Sequence, residues 1–112
     1  MNSILEIRKG ILFIRLEGKF TSSTYREFNY ITSLIEQNGI NKVVINLENV
    51  KQIDLKGINI LLYIYELCRF RNGKSLICGI NENIYPTIKK SRLLKYIKQT
   101  KSELESFELM EA

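Results

Sequence analysis

The 112-residue sequence has no histidine, one proline and two cysteines. Histidine is the usual base at neutral pH and the commonest metal ligand, so its absence removes histidine-based hydrolysis and metal-dependent chemistry from consideration. No metal and no cofactor are expected. Cys68 and Cys78 each sit inside an apolar run and form no CxxC pair, which reads as two buried, reduced thiols. No run of eighteen apolar residues occurs, and the opening "MNSILEIRKG" reaches charge too soon for a secretory leader or anchor. A cytoplasmic protein without direct membrane insertion is expected. A phosphate-binding glycine loop, a nucleophile with its base and a pair of acids at a predicted mouth are also missing, so an enzyme is not expected.

What is present fits one globular unit over residues 1–112: 45% hydrophobic residues, no internal repeat, no low-complexity tract and no linker. The net charge of +5 is unevenly spread. The last twelve residues, "KSELESFELMEA", hold four Glu against one Lys, while the first hundred hold sixteen basic and eight acidic residues. Lys89, Lys90, Arg92, Lys95 and Lys98 form a basic cluster, but no zinc finger or aromatic RNP strand accompanies it, so a nucleic-acid partner is not expected.

Residues 3–8 and 11–17 are rich in β-branched and aromatic residues on either side of Lys9-Gly10, a pattern for two strands joined by a tight turn. In "TSSTYREFNYITSLIEQNG", Thr24, Phe28, Ile31, Leu34 and Ile35 recur at helical spacing between Thr/Ser N-cap candidates and Gly39 as the C′ residue. "KVVINL", residues 42–47, is almost continuously apolar, as a strand covered on both faces is. A helix from about Gly57 to Asn72 and a strand at 74–80 follow. A weaker helix runs from Glu82 to about Lys90, with Pro86 confining its start. Thr100 and Glu103 have capping-box spacing for a C-terminal helix whose Leu104, Phe107 and Met110 would face inward. The order predicts an α/β fold, a mixed sheet of four or five strands packed by about four helices.

At "VVINLENVKQIDLKGINILLYIYELCRFRNGKSLIC" the order of features resembles the STAS domain, the fold of bacterial anti-sigma factor antagonists. An apolar strand leads through Ile53-Asp54 to a Gly three positions on that starts a helix, and a Gly-Lys-x-Leu strand follows. Upstream, "LEGKFTSST" resembles the family's entry to its first helix, with Thr24 kept and Thr21 in place of the usual Asp. The resemblance implies a non-catalytic module whose partner is an anti-sigma factor that is also a serine kinase. That kinase phosphorylates a Ser just before the loop Gly and thereby releases the antagonist. Here Leu55 and Lys56 occupy the hydroxyl positions, so no phosphorylation is expected at the family site. The alternative partner the resemblance allows is the ATPase subunit of a lipid-transport complex.

Asp54 is well placed as an N-cap for the helix that follows. Lys56 carries the wrong sign for a helix start, at a cost of about 0.3–1 kcal/mol against the macrodipole, which a local neighbour must offset. Along the helix, Asn59, Tyr63, Glu66 and Phe70 fall on one stripe that mixes aromatic and polar side chains. Asp54, Leu55, Lys56 and Gly57, this stripe, and Thr21 and Thr24 are the expected switch-loop and partner-binding residues.

Overall fold

The structure, a computed structural model, describes residues 1–111. It opens with a hairpin of β1 (Asn2–Arg8) and β2 (Ile11–Phe20), closed by Lys9 and Gly10 at φ 50° and 78°. Two positive φ angles in a two-residue loop match the right-handed twist of the flanking strands. The chain continues through α1 (Tyr25–Gln37), β3 (Lys42–Ile53), α2 (Leu55–Phe70), β4 (Lys74–Cys78), α3 (Tyr85–Ser91), a 3-10 turn, β5 (Lys98–Thr100) and α4 (Glu103–Glu111). The strands lie in the order β1-β2-β3-β4-β5; β1 is antiparallel to β2 and every other neighbouring pair is parallel. The expected α/β architecture, a mixed sheet packed by helices, is what forms.

Alternation along the strands divides the core into two layers. Ile14, Ile45 and Ile77 face the helical layer, where Phe28, Ile31 and Ile35 of α1 and Ile58, Leu61 and Ile64 of α2 are buried. Ile11, Phe13, Val44, Leu76 and Cys78 face the other way and are covered by Met110, Phe107 and Leu109 of α4. Both cysteines are buried and free.

Several boundaries differ from expectation. β3 does not stop at residue 47; its polar second half stays extended because it continues the parallel ladder with β2, from Glu17↔Asn49 to Phe20↔Ile53. β4 pairs only as far as Asn46↔Cys78, which leaves the other edge of β3 open, and the Asn81 amide donates to the Leu47, Glu48 and Val50 carbonyls there. α2 begins two residues earlier than expected, at Leu55. Gly39 does sit at φ 63° after α1, and Ile40 N–H closes on the Ile35 carbonyl. The C-terminal cap differs too. Thr100 lies in β5 and pairs with Ser106, Ser102 receives the Glu105 N–H, and Glu103 turns inward to Arg15 and Asn46. That rotation buries Ser106 and leaves Leu104 exposed, not inward.

Candidate functional site

Two loops at the carboxyl ends of β2 and β3 meet at Asp54. Its backbone is extended, and its Oδ1 accepts the Gly57 N–H at 3.2 Å, the N-cap bond of α2. Oδ2 accepts the Ser22 N–H at 2.9 Å, so one carboxylate ties the β3–α2 loop to the β2–α1 loop. Burial works against ionisation, but the N–H bonds from Ser22 and Gly57 prevail and hold the carboxyl below its usual range.

Gly57 explains why glycine follows three positions after this Asp. A Cβ there would lie 2.5 Å from the Phe20 carbonyl and 2.8 Å from the Ile53 side chain. The first turn of α2 therefore packs directly on the end of β2, and only glycine leaves room. Thr24, expected on the inner face of α1, stands instead at its N-cap position, where its side chain makes no cap bond and helps shape the adjoining loop. Its hydroxyl donates to the Lys19 carbonyl at 2.7 Å and accepts the Thr21 N–H at 3.0 Å. Thr21 is buried, with its hydroxyl on Ser23. Both threonines thus build the loop beneath a rim on which Ser22, Ser23, Leu55 and Lys56 are exposed.

Lys56 finds its neighbour in Tyr25: the ammonium lies 4.4 Å from the ring centroid. From this rim the stripe runs down α2 for about 21 Å, with Asn59, Tyr63, Glu66 and Phe70 all exposed. Phe70 is 89% exposed and Leu55 69%. The Tyr63 hydroxyl donates to Glu36 of α1 at 2.6 Å, and this bond raises its pKa. Glu66 makes only a loose exposed pair with Arg69 at 3.4 Å. The expected residues therefore divide into a rim, a stripe and the supporting Thr21, Thr24 and Gly57.

Sequence reasoning missed Ser22 as a partner of Asp54 and Tyr25 as a partner of Lys56. It also missed Tyr30, 69% exposed on α1, and Glu36. None has a local signal: the two loops lie about thirty residues apart, and only the parallel register of β2 and β3 brings them together.

A model of the STAS domain matches residues 2–107. The chain belongs to the STAS domain family. Solved structures of similar fold include a crystal structure assigned as an anti-sigma factor antagonist of Thermotoga maritima, with TM-score 0.92, 15% identity, and coverage of 98% of this chain and 95% of that one. The anti-sigma factor antagonist SpoIIAA of Bacillus in its unphosphorylated form superposes with TM-score 0.78 at 18% identity, over 99% of each chain. A sulfate transporter family protein from Wolinella succinogenes has TM-score 0.74 and 16% identity, covering 96% of this chain and 93% of that one. At such identities the likeness is one of fold. The same STAS architecture thus occurs in an anti-sigma factor antagonist and in a transporter-family protein.

Proposed function

We propose that this STAS chain works as one non-catalytic unit, an anti-sigma factor antagonist of the cytoplasm that docks on a kinase-like anti-sigma factor. The contact surface is the Leu55–Lys56 rim continued by Asn59, Tyr63, Glu66 and Phe70. The observation that carries this reading is the exposure of Leu55 and Phe70, two large apolar side chains on the one helix that starts at the family's switch loop. Aromatic and apolar side chains with a mixed polar surround are what protein interfaces concentrate. An ammonium at residue 56 offers no hydroxyl to a kinase, so the chain stays in its binding form at this position.

Purified chain mixed with a purified GHKL-type anti-sigma kinase and ATP tests the proposal. A complex is expected on size-exclusion chromatography, with no phosphate on residues 54–57 by mass spectrometry. Phe70→Ala and Glu66→Lys should each weaken the complex while leaving the thermal midpoint unchanged. Full affinity in both variants would defeat the docking surface, and phosphate on Ser22 or Ser23 would replace the unswitched reading with another. The likeness to a transporter-family protein supports a second reading, a STAS subunit of a transporter assembly. Stable co-purification with a transport ATPase subunit, and none with the kinase, would favour it.

A further inference from the structure

At the end of the sheet opposite the switch loop, β5 is shorter than β4. The ladder begins at Leu76↔Lys98, so the outer edges of Lys74 and Ser75 have no strand beside them. A cavity of about 320 Å³ opens at this step, along the sheet edge between α2 and the Leu109 end of α4, and its wall includes Tyr65, Arg69, Lys74, Ser75, Tyr96 and Lys98. Three of the nine wall residues, Arg69, Lys74 and Lys98, carry positive charge, and no acidic side chain is in the wall among the described residues. The Tyr65 and Tyr96 rings stand 6.4 Å apart at their centroids, inclined by 57°.

Ser75 supplies an independent sign. It is 5% exposed, and its Oγ is the buried side-chain polar atom without a hydrogen-bond partner among the described residues. A buried hydroxyl left unpaired is unfavourable, and native structures keep few of them. By strand alternation Ser75 shares the face of Ile77, toward α2, the side from which Tyr65 and Arg69 approach. The Oγ lies just under the cavity wall and is closed to solvent, so a small shift of that wall is what would let a bound acceptor give the hydroxyl the bond it lacks.

We propose that this cavity is a binding site for a small aromatic anion, a single ring bearing a phosphate or carboxylate. The ring rests against Tyr65 and Tyr96, and the acidic group meets Lys74, Lys98 and Arg69 with the Ser75 hydroxyl beneath. The volume lies at the low end of the range for small-molecule sites and suits one ring. Arg69 is free to turn toward it, because its pair with Glu66 is long and exposed and worth little. The site shares no residue with the docking surface and stands whether or not that surface is correct.

Phenyl phosphate is the probe, titrated into the isotope-labelled chain and followed by amide chemical shifts, with inorganic phosphate and phenol titrated separately. Saturable shifts are expected at Gly73–Leu76 and Tyr96–Lys98 and not at residues 53–57. Lys74→Ala and Lys98→Ala should each weaken binding about two- to fivefold, and Ser75→Ala should weaken it without lowering the thermal midpoint. Lys89→Ala, outside the cavity, should leave affinity unchanged. The site is overturned by an absence of saturation up to about 10 mM, by shifts spread over every lysine-bearing surface, by inorganic phosphate binding as tightly as the probe, or by unchanged affinity in Ser75→Ala and Lys98→Ala.

Discussion

The Lys56 ammonium stands 4.4 Å from the centroid of the Tyr25 ring and links the first turn of α2 to the first turn of α1. An exposed cation–π contact is worth about 0.5–1 kcal/mol, the same size as the 0.3–1 kcal/mol cost of a cation at a helix start. The two effects nearly cancel, which is how the loop tolerates a lysine at that place. Lys56→Ser should therefore change the unfolding free energy by no more than about 0.5 kcal/mol, measured by urea denaturation. The same variant restores a hydroxyl before Gly57 and should become a phosphate acceptor for a GHKL-type kinase, read by mass spectrometry.

Gly57 admits no side chain. In Gly57→Ala the new methyl meets backbone at the Phe20 carbonyl, 2.5 Å away, which cannot rotate aside. Either α2 lifts off the end of β2 or the loop rearranges. A loss of about 1–3 kcal/mol is expected from overpacking of this kind, with amide shifts concentrated at Phe20–Ser22 and Ile53–Ile58.

Asp54→Ala removes the cap of α2 and the tie to Ser22, and should cost about 1 kcal/mol, within the 0.5–2 observed for lost N-caps. The pH dependence has a definite sign. The folded protein holds Asp54 below its usual 3.8, and Glu103, chiefly through its bonds from Arg15, below 4.5. A lowered carboxyl pKa stabilises the fold above the unfolded value and loses that contribution as pH falls through the folded one. Stability to urea should accordingly be level at pH values well above 4.5 and fall below it. Asp54→Asn and Glu103→Gln should each make that fall shallower.

Glu103 fastens α4 to the sheet. It receives two bonds of 2.8 Å from Arg15 and one of 2.7 Å from Asn46, and α4 covers the face that holds Cys78. Burial pushes both thiols up to about 11, so neither should react readily at pH 8 in the native protein. Glu103→Ala should cost about 1–2 kcal/mol, the charged-bond value discounted for partial exposure. It should also open Cys78 to a disulfide reagent sooner than Cys68, which sits on the buried face of α2 in the other layer. Equal rates for the two thiols would mean that α4 does not loosen separately.

The outline of the fold was legible because its signals are periodic and short-range. β-branched strands, the Phe28–Ile31–Ile35 spacing and the near-continuous apolar run of 42–47 each bury one or both faces, and Gly39 ends its helix as expected. The second half of β3 was not legible, since Glu48, Asn49, Lys51 and Gln52 are polar and break the apolar run that marks residues 42–47 as a strand. They are held extended by β2 on one side and Asn81 on the other. The end of the chain misled in a similar way. Thr100 and Glu103 have the spacing of a reciprocal cap, but Arg15 and Asn46 offer Glu103 a stronger, charged partner from across the sheet.

By itself the sequence determined the α/β order, the family to which the chain belongs, the Asp54–Gly57 cap and the stripe along α2. Each depends on residues within a few positions of one another, where chain geometry alone sets who can meet. Only the tertiary structure decided that Ser22 completes the shell of Asp54, that Tyr25 answers the charge of Lys56, and that a cavity opens beneath the short β5. Those contacts arise from strand register and helix packing across many residues of intervening chain, where no local spacing foretells which side chains share a surface.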